Sequence, residues 1–252
     1  MTAMMAYSSI SRWSSALGVC AIVAIIRPAH ADPRAVVELF TSQGCSSCPP
    51  ADQIIGELAK DPNVIALSMP IEYWDYLGWK DTLADSRFSA RQKAYSHMRG
   101  DRDVYTPQVI VNGSANVIGS DRSAIDSAIQ TTQKAGVMSV PVTMTISGKQ
   151  INVSVAASKS PTSAHGEIWI CSVSKSVPIS IARGENRGRE VTYYNVVRNI
   201  LKVGDWNGNS GSWTVPLENI SRDGVDAAVV YVQDGNREKP GPMLGAAYTA
   251  LR

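Results

Sequence analysis

Val36-Val37-Glu38-Leu39-Phe40-Thr41-Ser42-Gln43-Gly44-Cys45-Ser46-Ser47-Cys48-Pro49-Pro50-Ala51-Asp52 is the stretch on which the reading of this chain turns. Ala35 to Phe40 is a short apolar run of the kind that makes a buried strand. Gly44 to Pro50 turns the chain. Pro49 and Pro50 suit the first turn of a helix, where a missing N–H removes no bond. Ala51, Ile54, Ile55 and Leu58 then recur at helical spacing, and Asp61-Pro62 stops the element. A Cys-x-x-Cys pair is thereby expected between the end of a strand and the start of a helix.

That setting has chemical consequences. The first N–H groups of a helix lack partners and its dipole favours negative charge. A thiolate at Cys45 is stabilised there, and the thiolate is the species that attacks a disulfide. Cys48 lies close enough to resolve the mixed disulfide that results. Cys-x-x-Cys alone is a weak signal. Thr106-Pro107, placed directly before an expected strand Gln108–Val111 and the turn Asn112-Gly113, strengthens it. In thioredoxin-like proteins a cis-proline in such a place lies against the cysteine pair, and proline is the residue for which a cis bond is cheap. The backbone of Thr106 would then be open to an extended substrate segment by strand addition. The alternative is an ordinary trans proline at a strand entry.

Outward from this centre, Val64 to Met69 reads as a second strand, Ile71 to Asp103 as mainly helical with dense aromatics, and Asp121 to Thr132 as a helix with Ala124, Ile125, Ala128 and Ile129 on one face. The alternation favours an α/β layer structure. Past Lys134-Ala135-Gly136 the pattern changes. Val140, Val142, Met144 and Ile146 alternate, as do Ile151, Val153 and Val155. Further strands are expected at 167–173, 191–197, 213–217, 227–233 and 244–249. The expected fold is therefore an α/β thioredoxin-like domain over 32–136, with a helical insertion at about 71–103, followed by an all-β, sandwich-like domain over 137–252.

Residues 1–31 read as an export signal: Arg12, then the apolar stretch Ala16 to Ile26, then Ala29-His30-Ala31. The stretch is shorter than the about 20 residues a spanning helix needs. The expected location is secreted or periplasmic. Of the 24 Lys and Arg, two (Arg12 and Arg27) fall in this segment, so the remaining 22 balance the 22 acids. A neutral chain gives no electrostatic reason to expect nucleic acid or anionic membrane as partner. Cys20 would leave with the signal. Cys45, Cys48 and Cys171 remain, too few for a disulfide scaffold. Cys171 reads as core, sharing a strand face with Trp169 and Val173.

The stretch Val36 to Asp52 resembles the signature of a family of secreted bacterial proteins, domain of unknown function 1223, placed in the thioredoxin-like superfamily. Tyr73-Trp74-Asp75-Tyr76-Leu77-Gly78-Trp79-Lys80-Asp81 is similar to its second block. Arg91-Gln92 with Tyr95, and Tyr105-Thr106-Pro107-Gln108, match two more. Arg183-Gly184-Glu185-Asn186 and Asn195-Val196-Val197-Arg198 match its C-terminal half. Pro70-Ile71-Glu72 departs from the family's commoner His-Val-Asp. The resemblance implies the fold and the compartment, and it implies no activity.

Two further sets of residues are candidates. Glu38, on the strand before the pair, would act as a proton acceptor toward Cys48 if buried with a raised pKa; otherwise it is a solvated or salt-bridged strand residue. Tyr73, Trp74, Tyr76 and Trp79 would form an aromatic rim that receives a peptide near Cys45, or else pack the insertion onto the core. Arg91 would pair with an acid of that block. The Gly184–Arg189 stretch lacks phosphate-loop spacing and reads as a turn between strands.

The leading expectation is an exported thiol–disulfide oxidoreductase, with Cys45 attacking, Cys48 resolving, Pro107 shaping the groove and Thr106 contacting substrate. It needs no cofactor beyond the Cys45–Cys48 disulfide, and its partners would be protein or peptide thiols and a redox partner. The alternatives are a binding module whose disulfide is permanent, and a Cu(I)-handling protein. His97 and His165 lie at no ligand spacing to the pair, so no metal ligands are assigned.

Overall fold

Ala35–Thr41 forms strand β1, buried along its whole length, and its alternation organises the layers around it. Val37 and Leu39 face one side, where they pack with Ala51, Ile55 and Leu58 of helix α1 (Pro49–Leu58) and with Ile125, Ala128 and Ile129 of helix α3 (Arg122–Lys134). Val36 and Phe40 face the other side and meet Phe88 and Tyr95 of helix α2 (Ser86–Arg99). Successive side chains of a strand point to opposite faces, so one apolar run serves both layers. The structure, a computed structural model, describes residues 33–159 and 164–251. The expected export signal, with Arg12, Cys20 and Arg27, lies outside the described residues. No helix among the described residues is long and apolar enough to cross a membrane.

β1 pairs in parallel with β2 (Val64–Pro70) and antiparallel with β3 (Gln108–Val111), which continues through a turn at Asn112-Gly113 into β4 (Ala115–Ile118). Asn112 sits at φ +51° and ties this layer together. Its Oδ1 accepts from the Val36 N–H at 2.7 Å and its Nδ2 donates to Thr132 Oγ1 at 2.9 Å.

The second half supplies β5 (Val142–Ser147), β6 (Gln150–Val155), β7 (Gly166–Ser180), β8 (Glu190–Trp206), β9 (Gly211–Pro216), β10 (Ala227–Gly235) and β11 (Pro240–Ala250). Four of these join the strands of the first half in one mixed eight-stranded sheet, ordered β11-β10-β7-β8-β2-β1-β3-β4. The joint is the parallel contact of β8 with β2 at Ser68 and Val196. Ser68 Oγ donates to the Tyr194 carbonyl at 2.8 Å, and Asn195 Nδ2 to the Ala66 carbonyl at 2.9 Å. The small antiparallel sheet β5-β6-β9 covers the face of β7 and β10 that carries Ile168, Ile170, Ala228, Val230 and Val232. Among the described residues the architecture is thus a mixed α/β sheet with three α-helices plus a small antiparallel sheet.

Two stretches differ from expectation. Of Ile71 to Asp103, only α2 and a 3-10 turn at Asp75–Leu77 are helical; the aromatic block is mostly irregular. Side chains supply part of its backbone bonding, with Asp75 Oδ1 accepting from Asp81 N at 3.0 Å and Asp81 Oδ1 from Leu83 N at 2.8 Å. β8 runs beyond the expected 191–197 to Trp206, where it pairs with Gly166, and β7 runs beyond the expected 167–173 to Ser180, where it pairs with Glu190. That extension brings the β7–β8 turn to the end of the sheet where Cys45 lies.

Gly56 marks the close approach of α1 to β8. A Cβ there would lie 2.5 Å from the Tyr194 ring. Gly56→Ala is expected to cost about 1–3 kcal/mol through overpacking, despite the better helix propensity of alanine. A urea titration showing no loss of stability would contradict this packing.

Candidate functional site

Cys45 and Cys48 are joined in a disulfide with their Cα atoms 5.4 Å apart. The turn is built by backbone bonds: Cys45 N–H donates to the Ser42 carbonyl and Cys48 N–H to the Cys45 carbonyl, each at 3.2 Å. Cys48 is the residue just before α1, and its carbonyl accepts from the N–H groups of Ala51 and Asp52. The pair therefore sits at the positive end of α1. Cys45 is 2% exposed and Cys48 is fully buried, while Ser46 and Ser47 are exposed.

The Thr106–Pro107 peptide is cis. Ser47 Oγ donates to the Thr106 carbonyl at 3.5 Å, so the entry to β3 faces the cysteine turn. Gly119 N–H donates to the Pro107 carbonyl at 2.9 Å.

The aromatic block divides. Trp74 Nε1 donates to Thr106 Oγ1 at 2.8 Å, and a Cβ on Gly44 would lie 3.0 Å from Trp74 Cβ, so Trp74 covers the cysteine turn. Tyr76 stacks on Trp74 at 6.2 Å and is 77% exposed. Trp79 Nε1 donates to Gln43 Oε1 at 2.8 Å. Tyr73 turns to helix α2 instead, its hydroxyl donating to Gln92 Oε1 at 3.2 Å, and burial pushes its phenol up to about 12.

Glu38 lies on the α2 face of β1, opposite to the face covered by α1. Its carboxylate accepts from Arg91 Nε and from the Tyr95 hydroxyl, each at 2.7 Å. Arg91 also donates to Gln233 Oε1 and lies over the rings of Tyr95 and Tyr231. The expected proton acceptor is thus held in a buried ion pair on the wrong side of the strand for Cys48. Arg91 pairs with Glu38, not with an acid of the aromatic block.

The acid on the α1 face is Asp52, one helical turn after Cys48. Thr41 Oγ1 donates to its Oδ1 at 2.8 Å, and Oδ2 has no partner among the described residues. Burial pushes its carboxyl up to about 8, against the pull of the Thr41 bond, and the nearby Asp81 adds to the rise. Asp81 accepts from the Gln43 N–H at 2.8 Å, and burial pushes it up to about 6 against its backbone bonds from Gln43 and Leu83. Asp52 stands in the opening motif, but only the strand's phase and the helix contact reveal that it, rather than Glu38, adjoins Cys48.

Asn186, at the β7–β8 turn, is a second residue that sequence reasoning passed over. Its Nδ2 donates to the Gln43 carbonyl at 2.9 Å and to the Cys45 carbonyl at 2.8 Å. The second half of the chain therefore contributes directly to the cysteine turn. Cys171 is a free, buried thiol in the core with Trp169 and Val173, and burial pushes it up to about 12, away from reactivity at neutral pH. Among the described residues no group of three His, Cys, Asp or Glu side chains is placed to hold a metal ion.

Comparison with known proteins gives the following. The family described as "Protein of unknown function (DUF1223)" matches residues 36–233. No curated protein matches. The crystal structure of protein AGR_C_4864 from Agrobacterium tumefaciens is similar, with a TM-score of 0.78 and 29% identity over 87% of this chain and 95% of that one. HBP35 of Porphyromonas gingivalis is similar in fold, with a TM-score of 0.61 and 15% identity over 87% of this chain and 76% of that one.

Proposed function

The chain belongs to the DUF1223 family, and from that premise we propose that it is a thioredoxin-like protein that exchanges thiols and disulfides in an exported compartment. One observation carries the reading: a bridged Cys45–Cys48 pair stands at the N-terminus of α1 and faces the backbone of Thr106. The helix end stabilises a thiolate at Cys45. The Thr106 backbone offers an extended substrate a strand to pair with. Arg12, the apolar stretch Ala16 to Ile26 and Ala29-His30-Ala31 support the compartment in this reading.

In the reducing direction the Cys45 thiolate attacks a substrate disulfide. A mixed disulfide forms and one substrate sulfur leaves as a thiolate. Cys48 then gives up its proton, attacks the Cys45 sulfur and releases the second substrate thiol. The substrate disulfide is reduced and the Cys45–Cys48 dithiol becomes the disulfide. The oxidising direction is the same sequence reversed. Asp52 is the buried acid best placed to take the Cys48 proton, and with its carboxyl near 8 it exchanges protons close to neutral pH.

The burial of Cys45 favours a second reading, a binding module whose disulfide is permanent. Equilibration of the pair with a redox buffer separates the two. A potential above about −300 mV is expected for an exchanging pair; a potential below it would mark a structural disulfide and overturn the proposal.

A further inference from the structure

We propose that the tip of the β7–β8 hairpin, residues 183–189, is a recognition surface for an acidic polypeptide segment that flanks the sulfur reacting at Cys45. The part about reaction, and the choice of a polypeptide over nucleic acid, rest on the function proposed above; the basic surface itself does not.

Asn186 anchors the tip to the carbonyls of Gln43 and Cys45. The tip is also closed on itself. Ile181 N–H donates to the Arg189 carbonyl at 3.0 Å, Gly188 N–H to the Ile181 carbonyl at 2.8 Å and Arg187 N–H to the Gly184 carbonyl at 3.1 Å. Gly184, at φ +76°, passes so near the aromatic block that a Cβ would lie 3.2 Å from Trp79 Cβ. These bonds hold the tip in place beside the cysteine turn before any partner arrives.

On this fixed support stand Arg183, Arg187 and Arg189, all exposed, with no side-chain hydrogen bond or ion pair among the described residues. Lys80, next to Trp79, is exposed as well. The acids of the tip are Glu185 and Glu190, and Glu190 accepts from Ser180 Oγ. Asp81 is turned inward to the backbone of Gln43 and Leu83 and leaves the rim uncompensated. Four cations thus face two exposed acids, in a chain that is neutral once its first 31 residues are set aside. Three unpaired arginines on one anchored turn leave their guanidinium forks open to the carboxylates of a partner. A polypeptide fits better than a small anion, because the three arginines are spread over seven residues. It fits better than nucleic acid, because only a protein or peptide brings the cysteine sulfur with which the pair reacts.

The test uses fluorescent peptides without cysteine, one rich in Asp and Glu and one of equal length rich in Lys. Their binding to the oxidised protein is measured by anisotropy. The acidic peptide is expected to bind about 10-fold or more tightly than the basic one at low ionic strength, with the preference fading as salt rises above about 0.1 M. The triple variant R183E/R187E/R189E is expected to reverse the order. Equal binding of the two peptides by the wild type, or an unaltered preference in the triple variant, would overturn the surface. A second arm measures exchange with acidic and basic peptides that carry a disulfide. Selective binding without exchange on either leaves the surface standing and removes the redox function. Exchange at equal rates without selective binding does the opposite.

Discussion

Cys45→Ala is expected to remove reduction of a model disulfide, by a factor of about 1,000 or more, because the nucleophile of the first step is gone. Cys48→Ala is expected to behave differently. Its Cys45 still attacks, but nothing resolves the adduct, so protein joined to substrate through Cys45 accumulates and appears as a mass gain equal to the attached substrate. The two variants together distinguish a reactive pair from a merely structural bridge. Stability does not obscure the result. The bridge closes a loop of a few residues, and the chain entropy it removes from the unfolded state is worth about 2 kcal/mol. The layers around β1 rest on Phe40, Leu39, Ile55 and Ile110, which remain buried without the bridge. Equal turnover by wild type and Cys45→Ala would end the functional proposal. Circular dichroism of each variant checks that it is folded.

Asp52→Asn is expected to stabilise the protein by about 4 kcal/mol at pH 7, with the gain shrinking toward pH 4. The sign follows from the direction of the shift. Burial raises the folded carboxyl from 3.8 to about 8. Below about pH 4 both folded and unfolded chains hold the proton, and burial of this carboxyl carries no ionisation cost. As the pH rises toward 8 the unfolded chain ionises while the folded chain does not, so stability is lost through that window at about 1.4 kcal/mol per unit. Above about 8 the loss is complete. Asparagine does not ionise, and its Oδ1 keeps the bond from Thr41. Asp81, raised to about 6, acts in the same sense over a narrower window. Asp61 and Asp85 are lowered, by a backbone bond from Asn63 and by Arg87 respectively, and act in the opposite sense. The difference between wild type and Asp52→Asn cancels those contributions. Urea titrations of both proteins at about pH 4.5 and 7 measure it. A gain independent of pH, or a loss at pH 7, would show that Asp52 is not held as a buried acid. The same substitution is expected to slow exchange and to remove a rate inflection near pH 8, since the Cys48 proton loses its acceptor.

Much of the site is legible in the amino-acid sequence. Cys45 and Cys48 lie between an apolar run and a helix opened by two prolines, and local propensity alone puts a thiol pair at a helix N-terminus. Thr106-Pro107 is recognisable because a strand and an Asn-Gly turn follow it. The roles of the acids are another matter. Glu38 and Asp52 are both short distances from the pair along the chain. Which one adjoins Cys48 depends on strand phase, and a shift of one residue exchanges the two faces of β1. The observed phase sends Glu38 to Arg91 and Thr41 to Asp52. The aromatic block is equally ambiguous in sequence. Side chains of Trp74 and Trp79 reach Thr106 and Gln43 because Asp75 and Asp81 hold an irregular loop in place, and such side-chain-to-backbone bonding has no periodic signature.

The Cys45–Cys48 pair, its place at the head of α1, and the strand character of the second half are written in local pattern: apolar period, turn residues and prolines act over a few neighbours and need no knowledge of what lies across the fold. The union of both halves in one sheet is not. It depends on β8 meeting β2 at Val196 and Ser68, more than a hundred residues apart along the chain, and on β7 extending past its apolar segment to carry Asn186 to the Cys45 carbonyl. Contacts of that range are chosen by which packing buries the most surface and satisfies the most backbone. That is a property of the assembled layers, and no single stretch of sequence holds it.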